Sequence, residues 1–167
     1  MKSAWFIALS VAVVATVGMG EPIRVSTVED LVAQLWVNRG NNATIMLATG
    51  RYDVSDYAMK TYNAQKQTEG DSVSHISISR VTLCGATDNP RDTVIYCNGT
   101  NTILYCYNGY VNNLTISNGC TKSSSSDGGG ITALNDSTVM SNCVITCCKS
   151  LRYGGGVAIA KCVDCDI

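Results

Sequence analysis

Apolar and polar residues alternate in short runs along most of this chain. Leu114-Thr-Ile116, Cys143-Val-Ile145 and Cys165-Asp-Ile167 each set an apolar residue on either side of a middle one. Successive side chains of a strand point to opposite faces, so the outer two turn inward and the middle one outward. Residues 44–48, 75–79, 81–83, 93–97 and 102–106 read as further strands. They lie between turn signals at Gly50-Arg-Tyr52, at 88–92 and at Asn98-Gly99,. The polar stretch 57–72 has no period and is expected to leave the core as an exposed excursion. This pattern predicts an all-β chain.

One segment departs from the two-residue period. Val28, Leu31, Val32, Leu35 and Trp36 recur at helical spacing, behind a Ser26-x-x-Glu29 capping box, and Gly40 supplies a stop,. The spacing predicts a helix over about 26–39. Its apolar face, with Leu31, Leu35 and Trp36, is expected to cover the open end of the first β-layer near Ile45 and Leu47,. A dimerisation helix is the alternative.

Parts of the chain repeat one another. Gly128-Gly-Gly-Ile131 leading to Ser141-Asn-Cys-Val-Ile145 is echoed by Gly154-Gly-Gly-Val157 leading to Val163-Asp-Cys-Asp-Ile167, and Val111-Asn-Asn-Leu-Thr-Ile116 is an earlier echo. Ile116 to Ile145 spans 29 residues and Ile145 to Ile167 spans 22, the difference falling in loops. Constant strands with variable connections indicate a solenoid. Ile116, Ile145 and Ile167 should then form one buried parallel ladder, with Leu114, Cys143 and Cys165 beside it. Asn113, Asn142 and Asp164 precede the three strands at one register. Short polar side chains tolerate left-handed backbone at tight corners, and stacked Asn can pair amide to amide. Coincidence in an Asn-rich chain is the competing explanation.

Residues 1–20 have a different character. Lys2 is followed by an apolar run from 4 to 17, then Gly18 and Gly20 at the −3 and −1 positions before Glu21. This is the build of a secretory signal peptide, and the run is short for a bilayer core of roughly 30 Å, although an uncleaved anchor is the alternative. Residues 21–167 then form the mature domain, expected to be secreted or displayed at the cell surface. The whole chain carries 12 basic and 13 acidic residues, a formal charge of −1. Such a balance gives no bulk attraction to nucleic acid or to anionic membrane, and no insertion of the mature chain into a membrane is expected.

An export signal, a capping helix, a Thr44-Ile-x-Leu-Ala-x-Gly-x-Tyr52 opening and Asn-x-Thr-Ile and Gly-Gly-Gly-Ile repeats together resemble the right-handed parallel β-helix proteins. That superfamily includes pectate lyases and related polysaccharide lyases. The repeats are also similar to those of polymorphic outer-membrane adhesins. The resemblance covers roughly residues 25–167 and implies a partial right-handed parallel β-helix with an N-terminal capping helix. The chain stops inside a strand at Cys165-Asp-Ile167, so further C-terminal coils are expected to be missing. One such scaffold hosts many functions.

Polysaccharide is the partner this resemblance implies, and uronate-lyase chemistry the reaction if the protein is an enzyme. The lyases remove a proton beside a uronate carboxylate with Arg or Lys, often helped by calcium, which stabilises the developing enolate. Lys149 and Arg152 share one loop and are the candidate basic pair. Lys122 and Asp127 lie in the equivalent loop one repeat earlier, and Asp164 and Asp166 alternate about a strand. Calcium needs a convergent cluster of oxygens, for which only Asp166 falls on an outward position, so no metal site is assigned. Solvated loop charges account for all these residues and are favoured over a catalytic role. His75, the one histidine, is read as a surface or turn residue rather than a base.

Nine cysteines in an exported chain suggest disulfides, but the count is odd and no zinc spacing appears,. Cys143 and Cys165 fall at matching inward positions. Mostly buried packing thiols are the expectation, with bridges between neighbouring strands the alternative. The leading function is a polysaccharide-interacting surface, and its rival a non-catalytic adhesion repeat.

Overall fold

Short strands follow one another through the chain, as the alternation predicts. The computed structural model describes residues 20–55, 76–99, 102–121, 128–158 and 160–167. β1 (Ile23–Val25) and helix α1 (Val28–Val37) lead into β2 (Thr44–Leu47) and β3 (Gly50–Asp53). Then come β4 (Ile76–Ser79), β5 (Thr82–Gly85), a 3-10 turn (Pro90–Asp92) and β6 (Thr93–Tyr96). The next circuit is β7 (Leu104–Tyr107), β8 (Tyr110–Asn112), β9 (Thr115–Ser117) and β10 (Cys120–Thr121). It is followed by β11 (Ile131–Ala133), β12 (Val139–Ser141), β13 (Val144–Thr146) and β14 (Lys149–Ser150), then β15 (Val157–Ala158) and β16 (Lys161–Val163). The expected strand at 75–79 begins at Ile76, and His75 lies outside the described residues, as do the proposed signal peptide up to residue 19 and the excursion at 57–72.

Every strand pairing among the described residues is parallel. The sheets run β1-β2-β5-β8-β12-β16, β3-β6-β9-β13 and β4-β7-β11-β15, with β10-β14 a fourth, two-stranded pair. Parallel neighbours cannot be joined by a hairpin, so the chain leaves each sheet, passes through the others and returns. The apolar residues of the sheets share one core cluster with Leu31 and Leu35 of α1.

The registers test the expected ladder directly. Ile116 pairs with Ile145, and the same column runs back through Ile95 to Tyr52, all buried. Ile167 does not complete it as a buried rung. Asp166 bridges Val144, but Ile167 is 64% exposed. The middle residues also differ from expectation: Thr115 and Val144 are each only 6% exposed. Segment 86–92 lies over them. The Thr115 hydroxyl donates to the Pro90 carbonyl at 2.8 Å, Asn142 Nδ2 donates to the Asp88 carbonyl at 2.7 Å, and Arg91 reaches Asp166 at 3.6 Å.

The corners behave as short polar residues allow. Asn113, Asn142 and Asp164 have φ of 55°, 45° and 51°, and Asn142 Nδ2 donates to Asn113 Oδ1 at 3.0 Å. The two glycine triplets meet backbone to backbone. Gly130 N donates to the Gly156 carbonyl at 3.0 Å, and a Cβ on Gly129 would sit 2.1 Å from the Lys149 carbonyl oxygen. That contact explains the glycine at position 129,.

Helix α1 is capped by Thr27, whose side chain accepts from Asp30 N at 3.1 Å, and not by the Ser26-Glu29 box. Leu31 and Leu35 are buried against β1, β2 and β4. Trp36 is instead 45% exposed, with the Arg39 guanidinium 4.3 Å from its ring centre. Each residue turns about 100° around a helix, which carries Trp36 off the stripe set by Leu31 and Leu35. β1 was not expected, and Gly50-Arg-Tyr52 is the strand β3 rather than a turn. The Tyr52 hydroxyl lies 2.9 Å from the Ala48 carbonyl and donates there, with the Val25 carbonyl at 3.2 Å.

Candidate functional site

The expected basic pair lies at the second glycine triplet. Lys149 is exposed on β14, with Cys120 of β10 as its Cα partner. Arg152 is exposed two residues beyond β14. Its backbone N–H donates to the Ser150 hydroxyl at 3.2 Å, and its guanidinium lies 5.2 Å from the Tyr153 ring centre. Lys122 and Asp127 fall outside the described residues. Asp164 is a corner residue, and Asp166 pairs with Arg91 across the surface. Among the described residues no three His, Cys, Asp or Glu side chains converge as a metal site.

A second polar grouping lies on the outward side of β3 and β6. Asp53 accepts from the Ser55 backbone N–H at 3.0 Å and from the Ser55 hydroxyl. The Ser55 hydroxyl first, then its backbone N–H and Tyr96, hold the Asp53 carboxyl below the ordinary carboxylate range against a small effect of burial. The Arg51 guanidinium stands 4.7 Å from the Tyr96 ring centre. The register continues this column from Asp53 and Tyr96 to Ser117 and Thr146. It offers hydrogen-bonding groups along the sheet, with Asp53 held as carboxylate.

A further exposed grouping, of aromatic residues, is elsewhere, and the alternation alone did not single it out. Tyr107 closes β7 and Tyr110 opens β8, on either side of the left-handed corner at Asn108. They are 43% and 55% exposed. Leu134, 51% exposed, lies beside Tyr107, because its backbone N–H donates to the Cys106 carbonyl at 2.9 Å. Polar groups follow the same corner. Asn135 Nδ2 donates to Asn108 Oδ1 at 2.6 Å, and Ser79 is the register partner of Tyr107 while Thr82 is that of Tyr110. Strand alternation supplies the reason: Leu104, Cys106 and Val111 turn inward and are buried, which sends Tyr107 and Tyr110 out,. Two phenolic rings flanked by Asn, Ser and Thr form a ridge that can lie against the apolar face of a sugar ring and bond its hydroxyls.

The thiols are unreactive where they are buried. Burial pushes the Cys106 and Cys143 thiols up to about 12. All nine cysteines lie among the described residues, and no disulfide joins any two of them. Cys84, Cys97, Cys106 and Cys143 are buried, as packing thiols are expected to be, whereas Cys147 and Cys162 are exposed. No helix among the described residues is long and apolar enough to cross a membrane. No protein-family model, curated protein or solved structure matches the chain significantly.

Proposed function

We propose that this chain is an exported right-handed parallel β-helix protein whose outward face binds polysaccharide. The observation that carries the reading is the ridge of Tyr107 and Tyr110 at the Asn108 corner, with two exposed rings on a parallel-stranded framework. Rings fixed on strands lose little conformational entropy on binding, which suits them to an extended, repetitive ligand. Parallel strands returning to the same three sheets, with repeats in register, support the β-helix. The apolar run after Lys2 supports export. The likeness of the repeats to pectate-lyase-like proteins supports a sugar polymer as the ligand.

Affinity electrophoresis through gels containing pectin, alginate, xylan or glucan tests the ridge. Retardation by at least one polymer is expected, and Tyr107→Ala and Tyr110→Ala should each weaken it about tenfold, the order expected for a lost aromatic contact. Unchanged retardation in both variants, with unchanged circular dichroism, overturns the assignment. A protein-binding adhesion surface is the second reading. It is favoured by the exposed side chains of Leu151 and Tyr153 beside Arg152. Under that reading the polymers leave migration unaltered.

A further inference from the structure

Three thiols come together at the Asp164 corner, independently of the sugar-binding surface. Cys143 and Cys165 occupy one register column beside the bridge between Val144 and Asp166. That column is fixed by Ile145 N donating to the Asp166 carbonyl at 2.7 Å and Asp166 N donating to the Cys143 carbonyl at 2.9 Å. Their thiols are oriented alike: Cys143 donates to the Ser141 carbonyl at 3.2 Å and Cys165 to the Val163 carbonyl at 3.3 Å. Cys162 belongs to β16, where it is the Cα partner of Met140. The left-handed Asp164 then folds the chain back between Cys162 and Cys165, and burial first and the Cys165 thiol beside it second push the Cys162 thiol up. Cys162 is exposed and Cys165 half-buried, while Cys143 lies beneath them in the core.

We infer that Cys162 and Cys165 are a redox pair that closes into a disulfide across the Asp164 corner. A small-molecule disulfide such as oxidised glutathione is the oxidant. The thiolate of one cysteine attacks a glutathione sulfur, breaks the glutathione S–S bond and releases one molecule of reduced glutathione. The second cysteine then attacks the protein sulfur of the mixed disulfide and releases the other. One S–S bond breaks and one forms, two electrons pass from the protein thiols to glutathione, and the two thiol protons end on the two glutathione molecules. Cys143 is excluded from this exchange by burial, which keeps it protonated.

The bridge ties β16 to the segment that carries Asp166, the residue paired with Arg91 and bridged to Val144. Closing it therefore fastens the last described strand to the corner next to it. The same residues recur in the repeat as Met140 and Cys143 around Asn142, so the preceding corner has one thiol and cannot close in this way.

The experiment oxidises the full chain with glutathione at neutral pH, blocks remaining thiols with iodoacetamide and maps peptides by mass spectrometry. The expected product has a Cys162–Cys165 bridge, a mass about 2 Da lower before blocking, no retained glutathione, and two fewer alkylated cysteines after denaturation. Cys165→Ser should leave glutathione attached to Cys162, whereas Cys84→Ser should form the bridge as before. A bridge from Cys143 to either partner, glutathione retained on the unaltered chain, or no change in the pair overturns the inference.

Discussion

Single residues carry much of the chain's geometry through left-handed corners. Asn142 has φ of 45° and bonds both Asn113 Oδ1 and the Asp88 carbonyl. Asn142→Ala loses both bonds and puts a residue that tolerates left-handed backbone less well than Asn at the corner, for a combined cost of about 2–3 kcal/mol. Asn142→Gly loses the same bonds without the backbone strain and should cost about 1 kcal/mol less in urea unfolding. Equal losses would show that the corner is not strained. The buried thiols predict an alkaline effect. Burial raises Cys106 from 9.0 to about 12, so the folded state holds its proton longer than the unfolded chain does. The stability tied to this group is complete below pH 9.0 and falls as pH rises toward about 12, by about 1.4 kcal/mol per pH unit,. Unfolding midpoints for the parent chain and Cys106→Ala should therefore converge as pH rises above 9.0. Parallel curves would remove the effect.

At the scale of elements, α1 and the 86–92 segment are covers of different kinds. Leu35 is buried in the core cluster, whereas Trp36 next to it is 45% exposed. Leu35→Asp should cost about 3 kcal/mol or more and promote aggregation visible by light scattering, while Trp36→Ala should cost under about 1 kcal/mol. Similar losses would mean that the helix packs through another face. Both Leu31 and Leu35 were legible in the sequence because a helical stripe repeats over several turns. The cap was misplaced by one residue because Ser26 and Thr27 can both accept a backbone bond, and only the path of the chain selects Thr27. β1 was missed because three residues give no period. The cover over Thr115 and Val144 was missed because alternation reports which face a side chain takes, and not what a loop far earlier in the chain, 25 residues before Thr115, lays upon it. The same limit hid the tyrosine ridge. Tyr107 and Tyr110 could be assigned to outward positions, but their shared corner depends on Asn108 and on strand register. Lys149 and Arg152 were read as sharing one loop, but Lys149 belongs to β14 and only Arg152 lies in the loop beyond it, because a two-residue strand gives no period to read.

Across the whole molecule, burial falls from the middle of the sheets toward β16. Val111 and Met140 are buried partners in the first sheet, and the next residue in that column, Cys162, is exposed. The second sheet shows the same decline, from Ile116 and Ile145 in the core to Ile167 at the surface. Among the described residues, a side chain between two neighbouring strands is covered from both sides, and one on β16 only from one. Substitution should follow that gradient. Ile145→Asp places an unpaired charge between buried neighbours and should cost about 4 kcal/mol, whereas Ile167→Asp should cost under about 1 kcal/mol. Backbone opening should follow it too, because local stability tracks buried apolar contact. In native-state hydrogen exchange, amides of β8, β9 and β12 should be slow and open only with global unfolding. Those of β15 and β16 should exchange earlier, at a smaller opening free energy. Uniform protection from β8 to β16 would contradict the gradient and show that the last strands share fully in the cooperative core.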